Sequence, residues 1–331
     1  MSGAGTGPAG HALAEHAVAA TGNRMAAVER TLAGAFDDLP GPLAGPCRRL
    51  ALAGGKRLRA SLVLTVAGGA AAAVPAAAAV ELLHLATLVH DDLLDDAPER
   101  RGVPTVHAAE GPATAILAGD VLIGLAGRYA ARAGSEASEL MGDALVDLCA
   151  GQALEAAHRH DPGVTVTTAL RIAELKTGTL IATACELGAV AGGGSRDGLR
   201  AYGLAFGLVL QLLDDLLDLL TDDETYGKPT AADFAAGTVT LPAVHALAAE
   251  PRLRELLRPG LTPDERDAAT DLLRRGPGIA ATLRTIDGLV EQSARFRPEL
   301  ADLPRAYAER QLRLISPRHR GLLPGRNPAP R

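Results

Sequence analysis

Two Asp-rich segments, each inside a strongly apolar run, place the tightest limits on this chain. The first reads His90-Asp91-Asp92-Leu93-Leu94-Asp95-Asp96 and the second Gln211-Leu212-Leu213-Asp214-Asp215-Leu216-Leu217-Asp218. Each contains a DDxxD pattern. On a helix, residues four apart share a face, so Asp91 points with Asp95 and Asp214 with Asp218. Like charges at that spacing destabilise an isolated helix by roughly 0.2–0.5 kcal/mol. Burying them unpaired costs far more. A fold that builds this arrangement twice makes sense if cations neutralise it. All-oxygen donors suit Mg²⁺, a hard ion that keeps some waters and bridges to phosphates. The pattern predicts two facing carboxylate walls that hold a diphosphate through magnesium.

The rest of the sequence reads as helix. Ala and Leu are abundant, long segments show a 3.6-residue apolar period, and β-branched alternation is nearly missing. Breakers fall where connections are expected: Leu39-Pro40-Gly41-Pro42, Gly54-Gly55, Pro75, Gly111-Pro112, Asp161-Pro162-Gly163, Gly192-Gly193-Gly194, Tyr226-Gly227-Lys228-Pro229, Pro259-Gly260 and Pro277-Gly278. The predicted fold class is all-α: a single large helical bundle with a central cavity. The stretches Val80 to Asp96 and Ser195 to Leu220 are apolar almost all round, as central helices are. No linker divides the chain, so residues 11–320 are expected to form one helical domain. The Gly-rich start, residues 1–10, and the tail, residues 321–331, are expected to be disordered.

Composition excludes several functions. The chain has 331 residues, 47% hydrophobic and 22% charged, with a net charge of -6. It carries no global basic footprint for nucleic acid. Aromatics make up 2% and Trp is absent, which removes stacking platforms for single strands. Cys47, Cys149 and Cys185 lack metal-ligand spacing and are expected to be plain thiols in a reducing cytoplasm. Met1 to Gly10 has no basic and apolar regions of a signal peptide. The apolar stretch from Ala60 to His90 is interrupted by Gly68-Gly69, Pro75, Glu81 and His84. Two buried helices joined near Pro75 fit it better than a membrane span of about 20 apolar residues.

Basic residues recur near the acidic segments. Gly54-Gly55-Lys56-Arg57-Leu58-Arg59 opens a helix after a glycine break, where backbone N–H groups attract an anion. Lys56 and Arg59, three apart, are expected on one face. Arg100-Arg101-Gly102 follows the first acidic segment, and arginine forks two donors onto phosphate oxygens. Lys176-Thr177 interrupts an apolar helix, and a buried lysine demands an anionic partner. Lys228 lies in a turn beyond the second acidic segment. His84 shares a face with Thr87 and Asp91, and Gln211 with Asp214. Taken alone, His84 reads as a core histidine bonded to backbone; the basic residues gathered here bring the anion-ligand reading level with it.

In this order and spacing the motifs resemble those of trans-isoprenyl diphosphate synthases of the polyprenyl synthetase family. The resemblance runs over about residues 45 to 245. It implies that Asp91, Asp95 and Asp214 ligate Mg²⁺, three ions per site, with Asp92, Asp215 and Asp218 completing the shells. It implies that Arg100, Lys176 and Lys228, with Thr177 and Gln211, hold an allylic prenyl diphosphate. Gly55, Lys56, Arg59, His84 and Arg101 would hold isopentenyl diphosphate. It also implies the isoprenoid-synthase bundle and a homodimer; the cytoplasmic location expected from the cysteines is joined by an expected loose membrane association, since a long product needs a membrane or carrier to accept it. The chain departs from the family at three places. Ala60 stands where a proline is usual, Leu210 where a phenylalanine is, and Thr238 where a diphosphate-binding lysine is.

Metal-assisted ionisation would give an allylic cation, which the double bond of isopentenyl diphosphate attacks. Product length would depend on the level below Asp91, set by Ala86 and Thr87. No aromatic floor stands there, so a product longer than C20, C30 or more, is expected. A geranylgeranyl or farnesyl diphosphate synthase is the first alternative. A class I terpene cyclase is the second; its usual second metal motif mixes Asn, Ser or Thr with Glu, unlike Asp214 to Asp218. A non-catalytic partner subunit is the third, although all six aspartates are present here.

Overall fold

Strong helix formers fill the long segments and the breakers fall between them, and the chain folds accordingly. The computed structural model describes residues 22–53, 55–100, 102–221 and 230–323. Its elements are almost all helical, and the strands among the described residues form one short hairpin. The chain divides into two compact units. The first takes Met1–Val146 and Leu180–Arg200, the second Asp147–Thr179 and Ala201–Arg331.

The first unit contains α1 (22–34), α2 (Gly41–Leu52), α3 (Leu58–Ala67), α4 (Ala73–Leu94), α5 (Val106–Glu110) and α6 (Pro112–Ala133). It also takes parts of α7 (Ser135–Ala157) and α9 (Thr179–Gly192). The break between α3 and α4 is at Gly68, in the left-handed region with φ 61°. Pro75 does not join two helices. It lies in the first turn of α4, where its missing N–H leaves no bond unmade. α4 packs along α6 and against α3. The α4–α6 contact depends on Gly119: a Cβ there would lie 2.0 Å from Nε2 of His90. Gly188 of α9 plays the same part against α3, where a Cβ would meet Val66 at 2.7 Å. Both α4 and α6 are long and apolar enough to cross a membrane by length and composition. Two-thirds of the apolar window of α4 is buried in the unit, as in a core helix. α6 leaves Ile116 and Leu117 exposed.

The second unit is built around α10 (Leu199–Leu220), with α8 (Val166–Ala173) and the helices Leu241–Ala249, Pro263–Arg275, Gly278–Phe296 and Asp302–Leu312. Leu212, Leu213, Leu216 and Leu217 of α10 are all buried. Each such side chain contributes roughly 1.5–3 kcal/mol. Tyr202, Phe206 and Tyr307 stack at centroid distances of 6.1 and 5.9 Å, and the Tyr202 hydroxyl donates to the Leu300 carbonyl at 3.1 Å. Thr262 and Glu265 form a reciprocal cap at the start of Pro263–Arg275. A 3₁₀ turn, Pro317–Leu322, carries the chain on to Leu323, which is buried.

Candidate functional site

In the first unit the predicted residues gather on α4 and on the segments that flank it. His84, Thr87 and Asp91 form a partly exposed stripe, while Leu85, Ala86, Val89 and Asp92 are buried. That is the i, i+3, i+7 face expected of one helix side. The Thr87 hydroxyl donates to the His84 carbonyl at 2.8 Å. α4 stops at Leu94: Asp95 has φ -94° and ψ 0°, Asp96 turns to φ 50°, and Pro98 comes two residues later. Asp95 therefore stands at the helix end and is exposed.

The chain then returns as the hairpin β1 (Glu99–Arg100) and β2 (Val103–Pro104), with Gly102 at φ 75° in its turn. This hairpin lays Arg100 onto Asp92. Arg100 Nε donates to the two carboxylate oxygens at 2.8 and 3.0 Å, and Nη2 lies 2.7 Å from Oδ1. Two residues expected on different partners are thus paired with each other. Beside them lies a cavity of about 90 Å³, lined by Leu85, Leu88, Val89, Val103 and Val106 together with the Asp92–Arg100 pair. Lys56 is exposed, and Arg59 lies in the first turn of α3. Because α3 begins at Leu58, Lys56 precedes the helix, and the shared-face expectation for Lys56 and Arg59 does not hold. Arg101 lies outside the described residues.

In the second unit the helical run through Lys176 is not uniformly α. Residues Glu174–Gly178 form a π turn that carries Lys176 and Thr177, the kind of local bulge often found where function needs displaced side chains. Three glycines let backbones close around it. A Cβ on Gly151 would meet Leu175 Cβ at 2.7 Å, and one on Gly207 of α10 would meet Gly178 Cα at 2.5 Å. This approach brings Thr177 to Gln211. The Thr177 hydroxyl donates to Gln211 Oε1 at 2.6 Å, and Gln211 Nε2 donates to Asp215 Oδ1 at 2.8 Å. Lys176, partly buried, has the anionic partner its position demands: Glu155 Oε1 at 2.6 Å.

Asp214 is exposed, while Asp215 and Asp218 are buried. Burial, then the neighbouring charges of Asp233, Asp214 and Asp218, push the Asp215 carboxyl well above the ordinary carboxylate range, against the Gln211 bond. Asp233 carries no motif signal. It lies outside the DDxxD spacing, yet its backbone N–H donates to Asp218 Oδ2 at 3.3 Å. Thr238, at the position of the usual lysine, donates its backbone N–H to the Asp233 carbonyl at 2.9 Å. The neighbouring Gly237, at φ 87°, lies under the His160 ring, which a Cβ would strike at 2.4 Å. Lys228 lies outside the described residues.

Among the described residues, no three His, Cys, Asp or Glu side chains converge as a ready-made metal cage. Magnesium is commonly held by one or two carboxylates plus substrate phosphates rather than by an all-protein cage. A carboxylate cluster whose members raise one another's proton affinity is a donor set that a divalent cation relieves. The residues present therefore fit such an ion.

Residues 41–273 match the family model described as polyprenyl synthetase. The chain is 40% identical to a short chain isoprenyl diphosphate synthase of Methanothermobacter thermautotrophicus over 66% of this chain and 71% of that one. It is 36% identical to a nonaprenyl diphosphate synthase of Mycobacterium tuberculosis, over 78% and 81%. A polyprenyl synthase structure from Caulobacter crescentus, complexed with calcium and isoprenyl diphosphate, superposes with a TM-score of 0.82 at 31% identity. That superposition covers 90% of this chain and 95% of that one.

Proposed function

We propose, from the premise that this chain belongs to the polyprenyl synthetase family and is a prenyltransferase, that it extends an allylic diphosphate by isopentenyl units to C30 or longer, with Mg²⁺. The observation that carries the metal-dependent chemistry is the carboxylate crowd of Asp214, Asp215, Asp218 and Asp233, joined by hydrogen bonds through Gln211 to Thr177. Asp91, Asp95 and Asp214 would hold the ions, with Asp92, Asp215 and Asp218 behind them. Bound Mg²⁺ supplies positive charge against which a diphosphate leaves.

The chain's own groups do the remaining work. Lys176 and Arg100 offer cationic donors to the allylic diphosphate, each exchanging a protein carboxylate, Glu155 or Asp92, for a phosphate oxygen. Thr177 and Gln211 hold Asp215 in one orientation. Lys56, Arg59 and His84 bind the isopentenyl diphosphate. Leu82, Leu83 and Ala86 of α4 are buried apolar groups that keep water from quenching an allylic cation. The proton lost in forming the new double bond passes to the released diphosphate, since no protein base is required.

Chain length rests on Ala86 and Thr87. Ala86 is 1% exposed, whereas Thr87 is the partly exposed member of the pair, so Thr87 is the better place to build a floor. Thr87→Phe is expected to shift products to shorter chains. A homodimer fits the exposed Ile116 and Leu117 on α6, which a second copy would cover. A short-chain product is the second reading, favoured by the likeness to a short chain synthase.

The test is incubation of the purified protein with Mg²⁺, isopentenyl diphosphate and dimethylallyl, geranyl, farnesyl or geranylgeranyl diphosphate. Products are then dephosphorylated and separated by chromatography. Linear alcohols of C30 or longer, lost on adding a chelator, support the proposal. C15 or C20 end products support the short-chain reading. A cyclic hydrocarbon, or turnover that persists without divalent metal, overturns the mechanism.

A further inference from the structure

The turn that leads into α3 is held in a costly conformation. Arg57 has φ 43° and ψ 39°, the left-handed region, which a side chain with a Cβ enters at roughly 1–2 kcal/mol. Such strain persists where the surroundings over-determine it. Arg57 is 9% exposed, and its guanidinium is fixed on three sides. Nε and Nη2 fork onto Glu29 at 2.8 and 3.2 Å, Nη2 also donates to the Ala51 carbonyl, and Nη1 lies 3.5 Å from Glu81 Oε2.

Glu81 is the less expected partner. It is 3% exposed on α4, where Asp92 is the other buried charged residue, three positions before His84 and ten before Asp91. Its other oxygen, Oε1, accepts the backbone N–H of Ala60 at 3.0 Å. Ala60 is in the first turn of α3, where N–H groups have no partner within the helix and a negative charge is favourable. One buried carboxylate thus caps α3 from another helix and anchors the strained residue before it. Lys56 and Arg59 flank this clamp on both sides.

We propose that Glu81, acting through Arg57, is a positioning residue that sets the affinity for isopentenyl diphosphate. It fixes the backbone from Gly55 to Arg59 relative to α4. Lys56, Arg59 and His84 then meet the diphosphate as one preorganised set. The proposal rests on the prenyl-transfer reading of the chain.

Steady-state kinetics of Glu81→Gln test it. Glutamine keeps an acceptor for the Ala60 N–H and removes the charge facing Arg57. The expected result is a rise of about tenfold in KM for isopentenyl diphosphate. KM for the allylic substrate and kcat should stay within about twofold, while Tm falls because the buried Arg57 guanidinium loses one of its partners. On an Arg57→Gly background, where the left-handed turn carries no strain, Glu81→Gln should change that KM less than about twofold. Should Glu81→Gln fold poorly, Arg57→Lys, which loses the fork, is expected to show the same split. An unchanged KM for isopentenyl diphosphate overturns the proposal. So does a parallel fall in kcat and rise in both KM values, which is what a purely structural residue would give. A wild-type protein that transfers no isopentenyl unit sinks the prenyl-transfer reading instead, so the two failures are separable.

Discussion

The same five residues, Asp-Asp-Leu-Leu-Asp, occur at 91–95 and at 214–218, in two different physical states. The first copy ends its helix. Leu94 is 59% exposed, Asp95 sits in the closing turn, and the buried Asp92 is neutralised by the Arg100 fork. The second copy lies inside α10, which runs on to Leu220. Leu217 is 2% exposed, and the buried Asp215 is held by the amide of Gln211, among other carboxylates. The residues just C-terminal to each copy set the difference. Asp96-Ala97-Pro98 stops a helix, whereas Leu219-Leu220 continues one. The motif's letters specify donors, and the neighbours specify whether those donors are already satisfied. The first copy is electrostatically closed at Asp92, and the second keeps Asp215 buried among like charges.

The harshest way to break this contrast is to remove the first carboxylate of each copy. Asp91→Ala and Asp214→Ala are each expected to cost on the order of 10²–10³ in kcat, measured with saturating substrates. Comparable activity in either variant would show that copy to be dispensable. Next comes the backbone contact that serves only the second copy. Gly207→Ala places a Cβ 2.5 Å from Gly178 Cα and should destabilise by about 1–3 kcal/mol. It should also lower kcat, because Thr177 is pushed from Gln211. Denaturant melts and kinetics read both effects.

The finest test compares the inner carboxylates without metal. Asp92→Asn should lower Tm by removing the Arg100 partner, a loss of about 1 kcal/mol given that Arg100 is 35% exposed. Asp215→Asn should raise it, because a crowded buried charge disappears. The pH dependence gives the sign a second time. The folded protein holds the Asp215 proton above the pH at which the unfolded chain releases it. Stability therefore falls as pH rises from the ordinary carboxylate value through the raised one. Asp215→Asn should flatten that decline. If the two variants shift Tm in the same direction, the contrast between the copies is wrong.

Much of the fold and the site is legible from residue types and spacing. The helical class, both acidic segments, the His84–Thr87–Asp91 face and the demand of Lys176 for an anionic partner come from periodicity and charge. The illegible part depends on partners distant along the chain. Nothing local announces that Arg100 folds back on Asp92 through a hairpin, or that Glu81 caps a different helix. Asp233 belongs to no motif. Gly178 and Gly207 read as ordinary helix glycines, yet their backbones touch. The glycine break at Gly54-Gly55 suggests a helix that includes Lys56, but the strained Arg57 delays its start to Leu58.

The π turn at Glu174–Gly178 has one more implication. It accommodates an extra residue within a helical run, so Glu174 to Gly178 bulge from the regular helix path and their side chains are displaced. Each residue of a regular helix advances the azimuth by about 100°. Deleting a single residue there would let the run close into an unbroken α-helix. The side chains of the bulge would then be redistributed around a regular helix, carrying Thr177 off the Gln211 amide. A one-residue change in length there would therefore be felt at the Thr177–Gln211 contact more than most substitutions.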